Sequence, residues 1–182
     1  MIEDDLFEIV DAALGPLGST PEDGEEFRTP PLDVLRYHRR GVRLHAIPGL
    51  GRAWSVVAMA RQPMDVGLKI GAGYATLMDR LARAAASRFP PGRDGRWGAL
   101  GLTAMILTPE PIGPDEDAAL QKVLTPMPRT RVVPLGLIRV NLGQEAMSLA
   151  LTRPPGDLFP EPEVLADALT PKLRRFVPLM EM

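Results

Sequence analysis

The stretch Trp54-Ser-Val-Val-Ala-Met-Ala-Arg61 is apolar almost without a break and carries no charge before its last residue. A strand with one solvated face alternates apolar and polar residues, whereas one that is apolar at consecutive positions buries both faces. This run therefore predicts a central strand, covered on either side.

The flanking segments fit that role. On the N-terminal side, Leu32 to Ile47 is predicted as a β-hairpin turning at Arg40-Gly41, with glycine supplying a positive φ. In that register Arg39 faces Val42, His38 faces Arg43, Tyr37 faces Leu44 and Arg36 faces His45. Arg36, His38, Arg43 and His45 then share one face, and Tyr37, Val42, Leu44 and Ala46 share the other. On the C-terminal side, Gln62 to Gly73 is a glycine-containing connection. Tyr74, Leu77, Met78, Leu81, Ala85 and Phe89 then form the buried stripe of a helix that Pro90-Pro91-Gly92 stops. Leu100 to Leu107 is a second apolar run. Strand, helix and strand make a βαβ unit with parallel strands and a right-handed crossover.

Further along, Pro114 to Leu124 opens with a proline and three acids, the signature of a helix start. Val132 to Val140 and Glu145 to Leu151 are predicted strands, joined by Asn141-Leu142-Gly143-Gln144 and hence antiparallel. Glu163 to Ala168 and Pro171 to Phe176 read as a broken C-terminal helix. At the other end, Ile2, Leu6, Ile9, Val10, Ala13 and Leu17 recur at helical spacing, with acids in the first turns where the helix dipole favours them. Gly15-Pro16 ends this helix near Leu14, and Gly18 to Pro31 is expected to be a flexible linker. The order α-β-β-β-α-β-α-β-β-α implies an α+β fold, with one mixed sheet of about five or six strands flanked by helices. A single domain is expected over 1–182, with the acidic helix and linker at 1–31 and the core at 32–182.

This element order resembles that of the restriction-endonuclease-like core and that of the type III secretion chaperones. The resemblance is of topology alone; no motif of either family is present. A nuclease of the first class needs an acid on one strand and acid-X-Lys on the next, to hold a metal and position a water. No acid-X-Lys occurs in the chain, and the nearest match, Asp65-Val-Gly-Leu-Lys69, has the wrong spacing.

Composition narrows the classes of function. The chain has 182 residues, 45% hydrophobic and 24% charged, enough for a full core under an ordinary surface. It has no cysteine, which excludes disulfides, thiolate zinc sites, iron–sulfur clusters and cysteine nucleophiles. No run approaches the roughly 18 apolar residues of a membrane span. The opening Met-Ile-Glu-Asp-Asp is acidic where a signal peptide is basic, so a cytoplasmic location is expected. Lys69, Lys122 and Lys172 are the only lysines, a bias towards arginine that fits the GC-rich codon usage of a bacterial source. The net charge of −2 conceals an asymmetry: nine acids and no Lys or Arg up to Phe27, then thirteen basic residues against four acids from Arg28 to Arg96.

Three constellations bear on chemistry. Arg36, His38, Arg43 and His45, with Arg40, Arg52 and Arg61 nearby, form a candidate anion or nucleic-acid site, since guanidinium forks match phosphate geometry. The competing expectation is a solvated face, or one covered by the acidic N-terminal helix. The two histidines lie diagonally at roughly 7 Å between Cα atoms. Zinc needs further ligands, and Asp33 and Asp65 are placed by no spacing rule. Gly71-Ala72-Gly73 behind Lys69 offers helix amides to an anion but lacks dinucleotide or P-loop spacing. Neither Ser55 nor Ser148 stands in a nucleophile motif. No cofactor, metal or catalytic residue follows from this reading. The expected function is a non-enzymatic interaction or scaffold module that binds a protein partner or itself, as a homodimer. The alternatives are a nucleic-acid or polyanion binder using the basic hairpin, masked by the acidic arm, and an enzyme assembled around His38 and His45. Function is expected at the ends of the central strand, near Arg52 or near Arg61 to Lys69, or on the neighbouring hairpin.

Overall fold

A computed structural model of the chain describes residues 1–27, 33–43, 52–63, 70–89, 100–124, 132–152 and 158–175. Among these residues, seven strands form one mixed sheet in chain order: β1 (Thr20–Asp23), β2 (Asp33–Arg43), β3 (Arg52–Arg61), β4 (Leu100–Leu107), β5 (Val132–Asn141), β6 (Ala146–Leu151) and β7 (Arg174–Arg175). β2 is antiparallel to β1 and β3, while β3, β4 and β5 are mutually parallel. β6 is antiparallel to β5 and parallel to β7. With α1 (Glu3–Leu14), α2 (Ile70–Arg88), α3 (Glu116–Gln121) and α4 (Glu161–Leu169), the fold is α+β. No helix among the described residues is long and apolar enough to cross a membrane.

The central stretch is buried on both sides, as consecutive apolar residues require. Val56, Ala58 and Ala60 join a core with α2, whose Tyr74, Leu77, Met78, Leu81 and Ala85 pack over them and over Leu102, Ala104 and Ile106 of β4. Val57 and Met59 point the other way. They meet Leu6, Val10 and Leu14 of α1 and Leu165 and Leu169 of α4, together with Met105, Ile138 and Val140. Leu6, Val10 and Leu14 are fully enclosed, so α1 is a structural layer of the second core. Its start is held by Asp5, whose carboxylate accepts the Ile2 N–H at 3.0 Å.

The predicted hairpin is corrected. β2 continues straight through Arg40-Gly41, pairing Arg40 with Ser55 and Gly41 with Trp54 along β3. Gly41 lies within the strand opposite Trp54, where a Cβ would meet the ring at 3.7 Å, an ordinary contact, so neither a turn nor a lack of space calls for glycine here. Trp54 in turn packs on Phe89, with ring centroids 5.5 Å apart. Residues 44–51, including His45, lie outside the described residues.

Two further expectations change at the ends of the chain. The stretch read as a linker contains β1, followed by a 3-10 turn that places Phe27 against Tyr37 and Phe89, at 4.7 and 6.1 Å between ring centroids. Gly24 permits this close passage, since a Cβ there would stand 1.9 Å from the Val34 carbonyl oxygen. The distal half of the predicted C-terminal helix is not helical. Leu173 is drawn into the second core, and the Arg174 N–H donates to the Glu145 carbonyl at 2.7 Å, which adds β7 to the sheet. α2 begins at Ile70, so Gly71-Ala72-Gly73 lies within its first turn rather than ahead of it.

Candidate functional site

Arg36, His38 and Arg40 are turned beneath α1 and α4, the two arginines in ion pairs and His38 beside Asp11. Asp11 of α1 receives Arg36 at 2.5 Å and lies 2.9 Å from His38 Nε2. Arg40 donates from Nε to Glu161 at 2.6 Å and from Nη2 to the Leu158 carbonyl at 2.8 Å. Glu161 occupies the first helical position of α4 and is 1% exposed. Arg43, the last residue of β2, pairs with Arg52, the first of β3; their side chains, like His45, Asp65 and Lys69, fall outside the described residues. Among the described residues no three His, Asp or Glu side chains converge to hold a metal ion.

His38 is 1% exposed, and burial pushes its pKa below the usual histidine value; Arg36 pushes in the same direction against Asp11. The unfolded chain, with a histidine pKa of about 6.5, therefore takes up the proton before the native protein does. The neutral ring's contribution to stability is complete above about pH 6.5 and is lost as the pH falls from there towards the depressed native value. As the pH falls below about 6.5, the unfolding free energy is expected to fall with a slope of at most about 1.4 kcal/mol per pH unit. His38→Gln should flatten that slope in denaturation measured across the window; an unchanged slope would remove His38 from the account.

Arg61 has a different setting. β3, β4 and β5 end side by side, and an open cleft of about 490 Å³ lies at their carboxyl ends. Arg61–Gln62, Leu107–Pro109 and Val140–Gly143 follow one another around it, and Glu3 of α1 closes one side. The Arg61 guanidinium is half-exposed there. Glu3 grips it in two-pronged fashion, with Nη2 at 3.0 and 2.9 Å from the two carboxylate oxygens and Nε at 3.2 Å from Oε1. Asp33 takes Nη1 at 3.1 Å.

Behind this cleft lies a polar network that sequence reasoning did not single out. Gln62 Oε1 accepts from the Tyr74 hydroxyl at 2.7 Å, and that hydroxyl accepts from Arg139 Nε at 2.8 Å. Arg139 is 1% exposed. Its remaining donors reach Glu116 at 2.5 Å, the Pro111 carbonyl at 3.3 Å, Thr108 Oγ1 at 3.3 Å and Glu110 at 3.2 Å. All five guanidinium N–H groups thus have a partner. Burial pushes the Tyr74 hydroxyl up to about 12, outweighing the nearby guanidinium, so the phenol stays neutral and can both donate and accept. The Asn141 amide holds the carbonyls of Pro109 and Glu110 at 3.2 and 2.8 Å, and Gln144 closes on the backbone of Ile112 from both its amide atoms. The loop between β4 and α3, one wall of the cleft, is therefore stitched to β5 and to the turn after it. One signal was available: Arg139 is a lone charge in the apolar run Leu135 to Val140.

No family model matches this chain, and no curated protein or solved structure does either.

Proposed function

We propose that the chain is a binding module whose ligand site is the cleft at the carboxyl ends of β3, β4 and β5. The observation that carries this reading is the convergence there of a half-exposed guanidinium, amide side chains and apolar walls on a backbone braced from behind by Arg139. In open α/β sheets ligands bind beyond the carboxyl ends of the strands where the strand order reverses; the order here runs on without a reversal, so the reading rests on the cleft's own geometry. A cleft of this volume lies within the range of small-molecule sites. The site also falls at the end of the central strand, beside Arg61.

Two other readings receive less support. A polyanion site on the basic strand would need Arg36, His38 and Arg40 released from Asp11 and Glu161, which means lifting α1 and α4 off the core that Leu6, Val10, Leu14, Leu165 and Leu169 complete. Pairing with a protein partner or a second copy through a sheet edge meets β1, which carries Pro21, Glu22 and Asp23, and β7, which carries Arg174 and Arg175. Short, charged and proline-bearing edges discourage strand addition.

The test is a titration of the isotope-labelled chain with small carboxylates, amides, amines and phosphates, followed through the backbone amides of Gln62, Thr108, Asn141 and Gly143. At least one class should shift these resonances together and saturably. If every class left them unmoved at millimolar concentration, the cleft would not be a ligand site.

A further inference from the structure

Resting on that reading, we infer that the ligand is a small carboxylate with an apolar body, and that Glu3 is an internal carboxylate standing in its place on Arg61. The contact of Glu3 with Arg61 is the two-oxygen, two-nitrogen grip by which a guanidinium takes any carboxylate. The two partners are not equally fixed. Arg61 ends the central strand, paired on both sides with β2 and β4, and Asp33 anchors its third nitrogen. Glu3 stands on the first turn of α1, at a helix end, and both side chains are partly exposed, so the difference lies in the strand pairing and the Asp33 anchor of Arg61. A competing carboxylate would therefore displace Glu3 and leave Arg61 where it is.

The exchange costs little. Exposed ion pairs contribute about 0–1 kcal/mol, and one carboxylate replaces another on the same donors. Net affinity then comes from the rest of the ligand, whose apolar body meets the half-buried Leu142 at about 25 cal/mol per Å² of apolar surface removed from water; Leu107 and Val140 are already enclosed by the core. Charge sets the class. Asp33 stays beside the guanidinium and the released Glu3 stays near it, so a phosphate dianion brings a second negative charge into a site that already holds two. A carboxylate brings only one. Of the described residues lining the cleft, Arg61 and Glu3 alone are charged, so a ligand cation would find only Glu3, already matched.

The experiment compares benzoate, benzamide and phenyl phosphate on the full-length wild type and on Glu3→Gln, Arg61→Gln and Arg61→Lys, with thermal unfolding of each variant measured alongside. Benzoate should shift the cleft amides of the wild type. It should bind Glu3→Gln about two- to fivefold more tightly, the factor set by removing a surface ion pair. Binding should be lost in Arg61→Gln and weakened in Arg61→Lys, which keeps the charge but not the fork. Benzamide binding as tightly as benzoate, or benzoate insensitive to Glu3→Gln, would overturn the carboxylate inference while leaving the cleft as a ligand site. Phenyl phosphate binding more tightly than benzoate would overturn it in the same way. No shift of the cleft amides by any of the three would overturn both.

Discussion

Arg139→Met is expected to lower the unfolding free energy by about 3–5 kcal/mol, the usual consequence of removing one partner from a buried charge network. For a chain of this length that is a fall in Tm of roughly 6–20 °C. Methionine fills much of the volume, so the loss is chiefly electrostatic. Glu116 keeps the Gly113 N–H at 3.0 Å and the Ser148 hydroxyl at 3.2 Å but loses its cation, and the Tyr74 hydroxyl loses a donor. Arg139→Lys should fall between, because an ammonium can reach Glu116 but cannot also serve Tyr74, Thr108 and Pro111. The decisive comparison is the double variant Arg139→Met/Glu116→Gln. Removing the stranded carboxylate should recover about 1–3 kcal/mol relative to additivity. Urea denaturation with unchanged m-values reads these differences. An Arg139→Met protein within about 1 kcal/mol of wild type would mean that the network carries no net stabilisation.

What the sequence made legible divides along physical lines. The runs Trp54–Arg61 and Leu100–Leu107 announce buried strands because continuous apolarity has few other uses, and the parallel β3–β4 pair follows from the helix between them. β1 was illegible because Thr20-Pro-Glu-Asp has the composition of a loop, and edge strands are built from just such residues. Arg40-Gly41 was misread because glycine is ambiguous locally. It can supply a turn or simply sit in an extended strand, and only the pairing with Trp54 decides. Arg61, which lines the cleft, was among the basic residues singled out, but the cleft itself was not legible. Nor was its supporting network, because Tyr74 reads as one more core residue of a helical stripe. Glu110 and Glu116 also lie 29 and 23 positions from Arg139, separations that no spacing rule connects.

Arg40→Met is expected to cost about 2–4 kcal/mol, somewhat less than the loss at Arg139 because Arg40 keeps partial contact with water. The cause is its partner. Glu161 is 1% exposed, and one of its oxygens already lacks a hydrogen bond. Taking away the Arg40 Nε donor leaves a buried carboxylate supported, among the described residues, by its place at the start of α4, where the helix dipole offsets part of the charge. Arg40 also donates to the Leu158 carbonyl, so its removal loosens the approach of the chain to α4. Glu161→Gln in the Arg40→Met background should restore much of the loss by removing the charge while keeping the shape. A role for Arg40 in binding anions makes the opposite forecast: thermal stability nearly unchanged, and weaker retention of the intact protein on heparin at low salt. A stability loss rescued by Glu161→Gln, with heparin retention unaltered, assigns Arg40 to the docking of α4 on the sheet. Unaltered stability with lost retention returns it to the basic strand as a binding residue, and with it the case for a polyanion.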